Sequence, residues 1–260
     1  MPELPEIEYC RRHVEKFALR RVVAKVMADD MWFLKGATSA RALHEHLEGA
    51  SFVDTGRIGK LLLLHTDRGD VLGMRFGMTG TLVIDAAPAV GDLQYSSHRF
   101  LDDWNRFSMV FEDGGVFAIN DPRRLGGVEL DPDLSHMGTD ALDVDLATFQ
   151  SLRRGKAAVK TWLMDQAHIA GIGNLIADEL LWRVGIDPQR RAMSLSDDEV
   201  RALGEAVAPV VAELVERGGC HRGDIIPERH REGHCPRDGA ILRSQRVNGR
   251  TTYWCPQHQV

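Results

Sequence analysis

The sequence predicts an α+β protein: an N-terminal β-sandwich or barrel with flanking helices, then a helical region that closes on a small hairpin. Three observations carry this. From Val22 to about Asp131, short apolar runs are broken by Gly and Asp ("KLLLLHT", "VLGMRFGMTGTLVID", "RFSMVFEDGGVFAIND", "GGVELD"), the texture of antiparallel strands joined by turns. From about Asp145 to Gly218 helical periodicity replaces them. The final forty residues are polar and Gly-rich and contain two patterned cysteines.

Taken in order, the chain opens with "MPELPEIE". Pro5 suits a first helical turn, where its missing N–H costs nothing, and Glu6 and Glu8 favour the positive end of a helix dipole. The helix itself is expected from about residue 9 to 20. "ARALHEHLEG" is a second helix interrupting the strands. At the end of the strands, "INDPRRLGG" starts a turn at Asp121-Pro122 that presents Arg123 and Arg124 together. "VKTWLMDQAHIAGIGNLIADELLWRVGIDP" then predicts helix, tight Gly-rich turn, helix, with Asn174 at or beside the second N-cap. Gly171 and Gly173 allow the sharp turn and are expected to leave amides exposed at the helix start, a ready phosphate site. An ordinary helical hairpin packed for stability satisfies the spacing equally well.

The tail, "HCPRDGAILRSQRVNGRTTYWCPQHQ", sets two residues between Cys235 and Asp238, and two between Cys255 and His258. Paired knuckles of this kind close the tetrahedral site of a zinc ribbon. Asn248-Gly249 is a two-residue hairpin signal between "SQRV" and "RTTYW", and Arg250 follows it at the hairpin tip. So small a hairpin buries little apolar surface, so a metal has to supply much of its stability. Asp238 is the unusual donor, and His234 is its rival as fourth ligand.

Bulk properties bound the function. The 260 residues leave room for two modest domains, with 43% hydrophobic and 27% charged residues. No aliphatic run approaches the twenty or so residues of a membrane span. The N-terminus lacks the basic start and apolar stretch of a secretory signal, so a cytoplasmic protein is expected. The formal net charge of −6 argues weakly against a nucleic-acid partner. The last forty residues, however, hold seven arginines against four carboxylates. A basic face, rather than a basic protein, is what binding DNA requires.

Taken together, "PELPE" at 2–6, "GK" at 59–60, "GMTG" at 77–80, "NDPRR" at 120–124, "GIGN" at 171–174 and the tail resemble the formamidopyrimidine-DNA glycosylase / endonuclease VIII family of base-excision repair enzymes. The motifs span nearly the whole chain in the family's order. The resemblance implies an N-terminal β-sandwich domain (1–134), a helix-two-turn-helix DNA-binding domain (135–219) and a zinc ribbon (220–260), with double-stranded DNA in the cleft between the halves. It implies excision of oxidised bases and cleavage at abasic sites. Pro2, freed by trimming of Met1, is then the nucleophile and Glu3 the acid/base. Lys60 and Arg250 hold phosphates around the lesion and assist β- and δ-elimination. Lys156 and Asn174 match backbone-binding positions, and Arg124 joins the DNA contacts. Met78 and Arg123 match two of three residues inserted where the base leaves. The third, usually aromatic, is Leu125 here. Glu6 and Glu179 fall near the site. One structural zinc per chain, held by Cys235, Asp238, Cys255 and His258, and a monomeric state complete the expectation.

Two features depart from the pattern. Half the zinc cysteines are replaced, and residues 219–233 are shorter than the stretch that covers a flipped purine in 8-oxoguanine-removing members. Oxidised pyrimidines are therefore an alternative substrate class, and a catalytically silent damaged-DNA binder is the alternative to an enzyme.

Overall fold

The structure, a computed structural model, describes residues 2–91 and 99–260. Met1, whose removal the sequence reading requires, lies outside the described residues. The chain divides into two compact units, one formed by Pro2 with Glu6–Ser135 and the other by Glu3–Pro5 with His136–Val260.

The first unit is an antiparallel β-sandwich. Its strands are β1 (Val23–Met27), β2 (Phe52–Ile58), β3 (Leu61–Thr66), β4 (Val71–Arg75), β5 (Thr81–Ile84), β6 (Ala87–Pro88), β7 (Asn105–Phe111), β8 (Val116–Asn120) and β9 (Gly127–Leu130). One sheet has the order β1-β7-β8-β5-β6 and the other β2-β3-β4-β9. Every pairing within them is antiparallel. The "LLLL" run of β3 is buried on both faces, between β2 and β4, which is why it does not alternate. Phe52, Leu62, Leu64 and Met74 of one sheet share a core with Val26, Phe107, Met109 and Phe117 of the other.

Helix α1 (Leu4–Phe17) starts earlier than the sequence reading placed it. Pro5 occupies its second position, where an amide would have no partner in the helix, and Glu6 stands in the first turn. The apolar side chains Ile7, Cys10 and Val14 then run into the sandwich core. Helix α2 (Ala40–Leu47) lies where expected, capped by Ser39, whose hydroxyl accepts the Ala42 amide at 3.1 Å.

The second unit is helical: α3 (Leu146–Ser151), α4 (Val159–Leu163), α5 (Asn174–Val184) and α6 (Asp197–Glu216). A short parallel pair, β10 (Thr139–Asp140) with β11 (Ile169–Ala170), accompanies them. Helix α6 begins with a complete Ser196/Glu199 capping box. Leu4, Leu163, Ile172, Ile176, Leu180, Val207 and Leu214 belong to one core, which also includes Cys235 and Cys255. The chain ends in the hairpin β12 (Arg243–Val247) and β13 (Arg250–Trp254), paired from Arg243↔Trp254 to Val247↔Arg250. Asn248 and Gly249 take φ of 46° and 74°, the left-handed turn that the Asn-Gly pair predicts. No helix among the described residues is long and apolar enough to cross a membrane.

Candidate functional site

In the second unit the structure corrects the phosphate reading of "GIGN". The first amides of α5 are not open: Leu175 N–H and Ile176 N–H donate to the two carboxylate oxygens of Glu3 at 2.9 and 3.1 Å. Glu3 therefore caps α5 from the far end of the sequence, its charge set against the positive end of the helix. It is 0% exposed. The two glycines exist for this approach. A Cβ on Gly173 would stand 2.3 Å from Glu3 Cδ, and one on Gly171, at φ +111°, would stand 2.5 Å from Leu4 Cδ1. Asn174 is the first residue of α5, with Gly173 as the N-cap, and its Oδ1 is buried without a hydrogen-bond partner. Gly173→Ala is expected to displace Glu3 and lower stability by roughly 1–3 kcal/mol, the scale of an overpacked site. Thermal melting measures the loss, and an unchanged midpoint would contradict the contact.

A second cluster escaped the sequence reading altogether. Lys160 of α4 is 1% exposed; its Nζ lies 2.6 Å from Asp178 Oδ1 and donates to Thr252 Oγ1 at 2.8 Å. The other Asp178 oxygen pairs with Arg229 Nε at 2.9 Å and accepts the Tyr253 amide at 3.3 Å. Arg229 in turn donates to Thr251 O at 3.0 Å. Burial pushes the Lys160 ammonium below its ordinary range and the Asp178 carboxyl above its own, while their mutual attraction opposes both shifts. The network reaches Arg250, because Thr252 Oγ1 also donates to the Arg250 carbonyl at 3.2 Å. Arg250 itself is exposed and borders an open cleft of about 530 Å³ with Thr161, Met164, Asp165, Asn248 and Gly249. Lys156 is exposed in the loop before α4. Three charges on three separate elements leave no spacing signal, and only an unexpected Lys in the apolar α4 could have hinted at them.

Glu179, also fully buried, accepts the Asp224 and Ile225 amides at 2.9 and 3.1 Å and pairs with Arg183 at 2.8 Å. It thus anchors the short 219–233 segment to α5.

In the first unit, the "GMTG" and "NDPRR" loops are locked together by Asp121. Its buried carboxylate accepts the Thr79 hydroxyl at 2.6 Å and the amides of Arg123, Leu125 and Gly126 at 3.2, 2.8 and 2.8 Å. Gly77, at φ +58°, approaches so closely that a Cβ would meet the Leu125 carbonyl carbon at 2.4 Å. Half-buried Met78, exposed Arg123 and Leu125 (47% exposed) therefore sit on one braced pair of loops. Arg124, beside them at φ 55°, is exposed but ion-paired to Asp30 at 2.8 Å. Lys60 occupies the β2–β3 turn after Gly59, whose carbonyl accepts Arg57 Nη1 at 3.1 Å. Arg57 and Glu8 of α1 form a pair at 3.3 Å that holds this turn, and Glu6 on the same helix is buried. Pro2 is buried immediately ahead of Glu3.

The tail brings Cys235, Asp238, Cys255 and His258 together, with one donor atom from each lying within 4.8 Å of the others. His234 is not among them: it is exposed and its amide donates to Glu228 at 3.0 Å. The two Cys-Pro-x-x knuckles are alike, since Arg237 N–H and Gln257 N–H each donate to the sulfur two residues back at 3.4 Å. The Ala240 amide, donating at 2.9 Å, holds Asp238 well below the usual carboxylate range, so it offers an anionic oxygen. Burial pushes the Cys255 thiol up to about 11, so binding a cation there releases a proton. Two sulfurs, an imidazole nitrogen and a carboxylate oxygen in this compact set fit a tetrahedral divalent metal such as zinc.

Similarity to known proteins extends along the whole chain. A family model described as "Formamidopyrimidine-DNA glycosylase N-terminal domain" matches residues 1–128, and one described as its "H2TH domain" matches residues 131–223. A protein named formamidopyrimidine-DNA glycosylase from Syntrophotalea carbinolica is 32% identical over 100% of both chains. One from Xanthomonas campestris pv. campestris is 31% identical over 98% of each. Among solved structures, Lactococcus lactis Fpg in complex with DNA containing an abasic site aligns with a TM-score of 0.83 and 23% identity over 99% of both chains. The same protein bound to DNA containing Fapy-dG aligns with a TM-score of 0.83, also at 23% identity and 99% coverage of each. With the braced loops, the buried Glu3 and the four-donor tail all on its framework, this chain belongs to the formamidopyrimidine-DNA glycosylase family.

Proposed function

We propose that the chain is a base-excision DNA glycosylase with an abasic-site lyase step, acting on oxidised bases in double-stranded DNA through the amine of Pro2. The observation that carries this reading is the Glu3 carboxylate, buried and aimed by two helix amides, one residue from Pro2. The name of the relatives supports the same substrate class, and the fold is one that the Lactococcus lactis protein brings to damaged DNA.

With Met1 removed, Pro2 carries a secondary α-amine. An α-amino group titrates near pH 8, far below a lysine side chain, so a fraction is neutral and nucleophilic at pH 7. The nitrogen lone pair forms a bond to C1′ of the damaged nucleotide as the C1′–base bond breaks, and the base leaves with that electron pair and takes up a proton. The Glu3 carboxylate takes the proton from that nitrogen and passes it to the ring oxygen as the nitrogen lone pair expels the oxygen. The resulting iminium draws electrons from the neighbouring carbon, and loss of a C2′ proton expels the 3′ phosphate. A second elimination expels the 5′ phosphate.

Lys60 and Arg250 are assigned to the flanking phosphates, and Lys156, Asn174 and Arg124 to the DNA backbone. Met78, Arg123 and Leu125 fill the space left by the flipped nucleotide. Residues 1–134, 135–219 and 220–260 then serve as catalytic sandwich, DNA-binding helices and metal-stapled hairpin. One zinc held by Cys235, Asp238, Cys255 and His258 gives the hairpin under Arg250 its stability. A second reading, oxidised pyrimidines as substrate, is favoured by the short 219–233 segment, which Glu179 pins to α5.

The test is borohydride trapping on a panel of duplexes, each carrying formamidopyrimidine, 8-oxoguanine, thymine glycol or an abasic site. A covalent adduct is expected on the abasic and formamidopyrimidine duplexes. Adducts among the base lesions only with thymine glycol would select the second reading. Tight, salt-sensitive binding with no adduct anywhere would leave a DNA binder without catalysis.

A further inference from the structure

We propose that Trp182 of α5 configures the metal centre from outside the ligand set, an inference that rests on the zinc assignment above. Three observations place it. Its indole Nε1–H donates to Cys235 Sγ at 3.3 Å. Its carbonyl oxygen lies 3.2 Å from His258 Nε2, and since a carbonyl only accepts, Nε2 carries the hydrogen. That tautomer turns Nδ1, the atom 2.9 Å from Asp238 Oδ2, toward the cluster as the ligating nitrogen. The indole and imidazole rings also meet edge to face, with centroids 5.9 Å apart.

Trp182 is itself fixed. It is 6% exposed, and the Arg237 guanidinium lies 5.0 Å from its ring centroid while donating to the Arg183 carbonyl at 3.1 Å. One residue thus orients the imidazole ligand and hydrogen-bonds a thiolate ligand. An N–H···S bond stabilises negative charge on the sulfur. Trp182 also joins the centre to α5, the helix whose other end holds Glu3.

The experiment uses the full chain with Trp182→Phe, which keeps an aromatic body and removes only the ring donor. Zinc affinity is read by chelator competition, and the cobalt-substituted protein supplies a spectrum. Zinc affinity is expected to fall ten- to a hundredfold, the range for loss of an outer-shell partner. The thiolate-to-cobalt charge-transfer band should move to lower energy, a shift that a purely packing role would not produce. If the phenylalanine variant does not fold, 3-benzothienylalanine placed at 182 keeps the indole shape without the N–H. Unchanged affinity and spectrum in the variant that folds would overturn the proposal. A wild-type chain that binds no zinc would instead overturn the metal assignment.

Discussion

A preparation whose Pro2 nitrogen is blocked, by retained Met1 or by acetylation, is expected to give no borohydride adduct and no base release. An amide nitrogen has its lone pair delocalised into the carbonyl, so it cannot attack C1′. Loss of a covalent nucleophile typically costs on the order of 10⁶-fold in rate. Binding to abasic duplex should persist, because the groups assigned to the DNA backbone are untouched. Pro2→Gly, with Met1 trimmed, keeps a primary amine and is expected to retain weak activity. Mass spectrometry of the N-terminus decides which species is assayed, and full activity from a Met1-retaining sample would refute the mechanism.

Asp178→Ala is expected to be the most damaging single substitution for stability. It leaves Lys160 and Arg229 buried together without their shared anion. Breaking a buried pair from one side costs roughly 3–5 kcal/mol, because the remaining charge is uncompensated. For a chain of this length that corresponds to a melting point lower by about 6–20 °C. The loss should be partly recovered in Asp178→Leu combined with Lys160→Met, where the opposing charge goes too. Calorimetry on the three proteins checks this, and a single-variant loss below about 1 kcal/mol would show that the pair contributes little. Since the network reaches the Arg250 carbonyl through Thr252, the single variant should also lose affinity for abasic duplex under conditions where it is still folded.

Local chemistry by itself determined the sandwich strands, the Asn248-Gly249 turn, the two Cys-Pro-x-x knuckles and the ordered set of family motifs. Each depends on residues close in sequence: alternation and apolar runs for strands, positive φ for the turn, and an amide two residues after each cysteine for the knuckles. Asp238 over His234 was not decidable that way, because both flank Cys235 and only the fold shows which faces Cys255 and His258. Pro5 and Glu6 marked a first helical turn but not what fixes the start of α1, because the first residues are held by partners far along the chain, Glu3 by the amides of α5 and Leu4 by the core of the second unit. For the same reason "GIGN" looked like an open anion site when a carboxylate of the same chain already fills it. Lys160, Asp178 and Arg229 stayed invisible because burial and pairing give a charged residue its role, and both are properties of three elements meeting in space. Tertiary structure decided where charge could be buried; the sequence alone decided which short segments could turn, pair and ligate.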